Sequence, residues 1–349
     1  MDFINSRIRV WALPLALIVH TLALTSVSGC ATGHALVPYS PAEPAGLQWF
    51  WPAVQGEQQR LLRWSGAVGP PLVANTLGTP ASTDEIVLIS WNIALGAGDL
   101  EALLADVAPS GQSSAVVILV QEAYRDGPEV PATLAAGASF AGRLDGRRSD
   151  GEREDIETIA RRCRLNLYYV PSMRNGAPAA SDEDRGNAIL STLPLEELTA
   201  IELPFERQRR VAVAATAVGR SSDGAPWRMR VVSAHLDNRV GARRLWFAGG
   251  MHARARQAKA LVDSLRDDTT AVLGGDFNTW FGFGDLAFTE THRAFPETRV
   301  SDRRPTFRSL LRLDHLFFRL PEGWTAEFER ARRSYGSDHW PLIATIRVG

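Results

Sequence analysis

Residues 115–120 read AVVILV, and comparable apolar runs occur at 86–91 (IVLISW), 229–232 (MRVV), 271–273 (AVL) and 342–346 (LIATI). A strand with one wet face alternates apolar and polar residues, so near-unbroken runs of this length belong to strands covered on both faces. The runs alternate with helical stretches such as 251–266, whose apolar spacing is helical. Two largely buried sheets with helices outside, a four-layer α/β/β/α sandwich, satisfy this pattern.

Each run ends in polar groups: Asn92 after the first, Gln121 and Glu122 after the second, His235 and Asp237 after the third. The fourth, AVLGGDFN at 271–278, passes through a Gly-Gly pair, read as a turn, to Asp276 and Asn278. On an extended segment, side chains two apart point the same way, so these two are expected to face one spot. LRLDHLFF at 311–318 carries Asp314, and Asp338-His339 precede the last strand. Any one of these groups reads equally well as a turn or cap residue. Together they are buried carboxylates and imidazoles that need partners, and one convergent site supplies them.

Carboxylates with amides suit a hard, oxygen-seeking cation such as magnesium, and histidines with carboxylate neighbours suit acid–base roles. No cysteine lies near these runs and the histidines lack zinc-site spacing, which disfavours zinc. No nucleophile elbow, phosphate-binding P-loop or dinucleotide fingerprint is present. Metal-assisted attack of water on a phosphoester fits best.

The ordered set WN, QE, GNAIL, HLD, GDFN, LDH and SDH resembles the endonuclease/exonuclease/phosphatase superfamily, of deoxyribonuclease-I-like fold, over residues 84–349. The resemblance implies metal ligation by Asn92 and Glu122, with Asp338 nearby, and Mg2+ (or Mn2+) as cofactor. It implies that Asp276 and Asn278 position or activate water and hold the phosphate. It pairs His339 with Asp314 and sets His235 across the scissile phosphate. Whether the Asp276 or the His339 position takes the water's proton is left open by the resemblance. Asn187, Asp237 and Trp280 are candidate substrate contacts. In the nuclease branch a glutamate ahead of the central strand orients the first histidine; here Arg161, Arg162, Cys163 and Arg164 precede that strand.

Residues 1–29 read as a lipoprotein signal peptide. Arg7 and Arg9 precede an apolar stretch from Val10 to Leu24, broken by Pro14 and His20, and Val27-Ser28-Gly29-Cys30 resembles a lipobox. Acylation of Cys30 implies export and a lipid anchor, with Ala31 favouring the outer membrane. With Cys30 acylated, Cys163 has no intramolecular partner, so the domain depends on its core. Residues 30–83, rich in Pro, Gly and Ala, read as a tether. Within it Trp49, Phe50, Trp51 and Trp64 are too apolar for a free linker, so 47–64 is expected to pack against the catalytic domain 84–349. A monomer is expected.

Net charge is −1, which excludes a strongly basic field for long nucleic acid. Yet Lys259 is the single lysine among 38 basic residues, and arginine is the better phosphate fork. Arg207, Arg209 and Arg210 form one local group, and Arg303, Arg304 and Arg308 another. Trp280, Phe281 and Phe283 follow the GDFN segment, where aromatics stack bases, touch lipid or pack the loop. Three functions follow: an exported phosphodiesterase of nuclease type, a sphingomyelinase or phospholipase-C-type headgroup hydrolase, and a non-catalytic binding module on the same fold.

Overall fold

The computed structural model describes residues 33–40, 46–78, 82–108, 115–131, 153–175, 182–238 and 246–349. The stretch read as a signal peptide, and Cys30, lie outside these residues.

One seven-stranded sheet has the order β1 (Leu36–Tyr39), β2 (Gln48–Pro52), β8 (Leu195–Glu202), β9 (Val211–Arg220), β10 (Pro226–His235), β11 (Ala271–Asp276), β12 (Asp314–Arg319). The other runs β13 (Thr325–Arg330), β14 (Leu342–Arg347), β4 (Glu85–Asn92), β5 (Ala115–Asp126), β7 (Glu183–Ser191), β6 (Asn166–Arg174), β3 (Leu72–Ala74). Within each sheet a parallel pair, β4·β5 or β10·β11, has antiparallel neighbours.

Residue parity along the strands builds the layers. Ile86, Leu88, Val117, Leu119, Val231, Val272, Leu316 and Phe318 meet between the sheets. Their neighbours Val87, Ile89, Trp91, Val116 and Ile118 face outward under α2 (Leu100–Val107) and α3 (Ile156–Arg162). On the other side Val232, Ala234, Leu273 and Phe317 pack beneath α4 (Trp246–Ser264) and α5 (Leu286–Ala294). Both faces of each central strand are therefore apolar, which is why the sequence runs are unbroken. Asp99, Asp155 and Asp285 start α2, α3 and α5 by accepting backbone N–H bonds.

Two expectations change. Within residues 30–83, read from composition as a tether, β1, β2 and β3 instead extend the sheets: β2 pairs parallel with β8, and β3 antiparallel with β6. The aromatic stretch 47–64 packs on the domain as expected. Helix α1 (Gln55–Ser65) buries Leu61 and Trp64. The stretch is locked further by Asp184, which accepts from Gly69 N (2.8 Å), Arg125 Nε (2.9 Å) and Tyr169 Oη (2.7 Å). The second change concerns Gly274 and Gly275, which are not a turn but the middle of β11. A Cβ on Gly274 would stand 2.8 Å from both Leu119 and Leu316, and one on Gly275 1.8 Å from Ala234 O. The pair lets the two sheets and the β10 backbone close in just before Asp276. No helix among the described residues is long and apolar enough to cross a membrane.

Candidate active site

The parallel pairs place the ends of β4, β5, β10 and β11 at one edge of the sandwich, where Asn92, His235, Asp276 and Asp314 share the inward parity of the core. The sheets are tied there by Gln121 Nε2, which donates to Ser233 Oγ at 2.9 Å, while within one sheet Ser337 Oγ, on the β13–β14 connection, donates to Asn92 O at 2.7 Å. Trp91 Nε1 donates to His339 O at 3.0 Å, fixing the loop that carries the histidine.

Asp276 is the hub. Its Oδ2 accepts from Asn92 Nδ2 at 3.1 Å and lies 3.4 Å from His235 Nε2 and 3.9 Å from His339 Nε2. Its Oδ1 accepts the backbone N–H of Asn278 at 2.9 Å. Burial, reinforced by the charge of Asp314, raises the Asp276 carboxyl to about 7. His339 Nδ1 stands 2.8 Å from Asp314 Oδ2. Burial opposes a charged ring, but the charge and hydrogen bond of Asp314, then the charge of Asp276, outweigh it and lift His339 to about 10. Phe307 covers the ring, with centroids 4.8 Å apart.

Glu122 sits where β5 breaks register against β7, between Val120 and Ala123, with φ of 52°. Gln121 keeps the inward parity of Val117 and Leu119, and at the bulge Glu122 enters a cleft shared with Ser172, Arg185, Asn187, Arg210 and His235. A positive φ in a non-glycine residue is strained and is held there by its surroundings. No hydrogen bond or ion pair within the protein engages its carboxylate among the described residues.

A family profile for the endonuclease/exonuclease/phosphatase family matches residues 89–339, from β4 to His339. The chain belongs to this family. No curated protein matches the sequence. Among solved structures, an endonuclease/exonuclease/phosphatase family protein from Leptotrichia buccalis superposes with a TM-score of 0.50 at 13% identity, covering 75% of this chain and 99% of that one. One from Beutenbergia cavernae gives 0.48 at 15%, covering 76% and 72%. Sphingomyelinase C from Streptomyces griseocarneus gives 0.41 at 16%, covering 75% and 99%. At such identities the likeness is one of fold.

The endonuclease/exonuclease/phosphatase residues are not arranged quite as the sequence implied. Among the described residues, Asp276, Asp314 and His339 form a group of potential metal ligands whose donor atoms lie within 4.8 Å of one another. There the imidazole already balances two carboxylates, with Nδ1 committed to Asp314. Glu122, whose carboxylate has no partner among the described residues, follows Gln121, the register partner of Asn92, whose Oδ1 accepts one N–H, from Ala94 at 3.0 Å; oxygen donors of this kind suit a hard cation. Asp338, expected near the metal, accepts from Arg308 Nη2 at 3.0 Å.

Asn278 also differs from expectation. Its φ is 51°, so it has left the extended strand; its Nδ2 donates to Leu236 O at 2.9 Å, and its backbone rather than its side chain meets Asp276. Asn187 lines the cleft, with Nδ2 donating to Val211 O at 2.7 Å and a buried Oδ1 without partner. Trp280 Nε1 donates to Asn238 O at 3.0 Å. Asp237 is fully buried and its carboxylate serves Arg207 N, Gln208 N and Arg210 Nε. His315, next to Asp314, points to the opposite face and contacts Thr279 Oγ1 at 2.7 Å among Phe277, Phe288 and Phe317. Sequence reasoning missed Arg210 as a cleft residue; its signal was the Arg207/Arg209/Arg210 group.

Proposed function

We propose that this chain is a divalent-metal-dependent phosphodiesterase that hydrolyses its substrate by in-line attack of water. The observation that carries the reading is Glu122, a carboxylate without a partner among the described residues, held by a strained bulge in the cleft where His235 stands against Asp276. Glu122 and Asn92 hold magnesium in this reading, and the ion, when bound, supplies positive charge that favours attack at phosphorus.

The chain's own groups do the rest. Asp276 Oδ2 faces both histidines and Asn92, so it is the acceptor placed to orient water and take its proton. Asp314 holds His339 in its charged form, which makes His339 a donor to a phosphate oxygen rather than the base. His235, on the cleft side of Asp276, is placed to bond or protonate the leaving oxygen. Export and anchoring through acylated Cys30 belong to the same reading.

A nucleic-acid phosphodiester is the first reading of the substrate. A phospholipid headgroup is the second, favoured by Phe281, 50% exposed, and Leu310, 79% exposed, which lie on the loops after Asn278 and before Asp314. Incubating the protein with magnesium and plasmid DNA, RNA, sphingomyelin or inositol phosphates separates these. Cleavage of nucleic acid alone supports the first, release of phosphocholine alone the second, and turnover of none of them opposes the enzyme reading.

A further inference from the structure

The cleft beside Glu122 contains a second built feature. Arg210 lies immediately before β9, is 6% exposed, and among the described residues is tied by Nε to Asp237 Oδ1 at 3.3 Å and by Nη2 to Gln208 Oε1 at 3.2 Å. No acceptor for its Nη1 stands among the described residues, and the side chain lines the cleft. Asp237 in turn is anchored by three further groups. It accepts Arg207 N at 3.1 Å and Gln208 N at 3.4 Å, and its own N–H donates to Gln257 Oε1 at 2.9 Å.

A guanidinium and an unpaired carboxylate that line one small cleft would ordinarily collapse into an ion pair. Arg210 and Glu122 line this cleft without pairing, because Asp237 has already taken the Nε edge of Arg210. The neighbouring Arg209 cannot substitute: it is turned inward, forking onto Glu202 and donating to Pro171 O at 2.9 Å. Adjacent arginines thus take different roles, one forked onto Glu202 and one lining the cleft.

We propose that Arg210 is the guanidinium that binds the anionic oxygen of the substrate phosphate, and that Asp237 is its positioning residue, holding it off Glu122. This rests on the phosphodiesterase reading for what the substrate is, but not for whether the cleft takes a phosphate anion. Asp237, expected from sequence to touch substrate, acts through Arg210 instead. A lysine at 210 carries the charge but has no Nε edge for Asp237 to grip.

Three variants test this: Arg210→Gln, Arg210→Lys and Asp237→Asn. Two measurements are made on each: kcat and KM for bis(p-nitrophenyl) phosphate with magnesium, and the thermal shift caused by inorganic phosphate in metal-free protein. The expected result is a KM raised about 10- to 100-fold in Arg210→Gln, with kcat changed less, since one charge-assisted hydrogen bond is lost. The phosphate-induced shift should disappear in Arg210→Gln and shrink in Arg210→Lys. Asp237→Asn should raise KM in the same direction, and adding it to Arg210→Gln should raise KM no further. An unchanged KM with an unchanged phosphate shift in Arg210→Gln overturns the proposal, as does a wild type that phosphate does not stabilise. If the wild type binds phosphate through Arg210 but cleaves no diester, the functional reading fails and this assignment stands.

Discussion

His339 Nδ1 and Asp314 Oδ2 stand 2.8 Å apart, and this pair brings together the last two polar motifs of the sequence. Asp314 is 25 residues from His339 in sequence, yet its carboxylate orients the ring and favours its charged form. Two residues with one task lose it together. Asp314→Asn and His339→Ala should each lower kcat by about 10²- to 10⁴-fold, the range of a positioned acid or base. The double variant should be little worse than the poorer single one. Multiplicative losses in the cycle would separate the two residues functionally.

Buried His315 predicts a pH-dependent stability. Burial, then the charge of Arg312, pushes its pKa well below 6.5, so the native ring stays neutral. The unfolded chain binds a proton near pH 6.5 that the native state refuses, so stability is lost as pH falls below that value. Between pH 7.5 and 5.5 the wild type should lose about 1.4 kcal/mol more than His315→Gln in urea denaturation. Equal losses in the two proteins would show that the imidazole is not excluded from titration.

The N-terminal strands should prove part of the domain's stability. Removing Asp184 leaves the buried Arg125 guanidinium without its counter-charge and frees Gly69 N and Tyr169 Oη. Asp184→Ala should cost about 3–5 kcal/mol, and proteolysis within 55–75 should speed up first. A loss under about 1 kcal/mol would mean that this network does not fasten residues 69–70 to the core.

Much of the site was legible because strand parity and burial leave their marks in sequence. Asp314 and His315 are adjacent, and the two-residue period alone sends one inward with Leu316 and Phe318 and the other under the helices with Phe317. Asn92, His235 and Asp276 lie on the inward parity of runs that could be recognised as doubly covered. Effects that depend on a local break in that period were not legible. The bulge at Glu122 and the positive φ at Asn278 are set by neighbouring strands rather than by their own residue types. Nor could sequence show that Asp338 pairs with Arg308, or that Asp237 faces Arg210, because these partners come from separate loops. The Pro- and Gly-rich composition around β1–β3 hid the edge strands β1 and β3, where such residues are tolerated, and β2 between β1 and β8.

The central claim, that Glu122 is the anchor of a catalytic cation, is tested most directly by titrating manganese into the wild type and Glu122→Gln by calorimetry, while following diester hydrolysis in the same samples. The account predicts binding in the wild type and magnesium- or manganese-dependent hydrolysis that EDTA abolishes. It predicts that Glu122→Gln keeps the native circular dichroism while binding is lost and the rate falls about 10³-fold, roughly 4 kcal/mol of transition-state stabilisation. Undiminished hydrolysis in EDTA, or a Glu122→Gln protein that binds and turns over like the wild type, would contradict it.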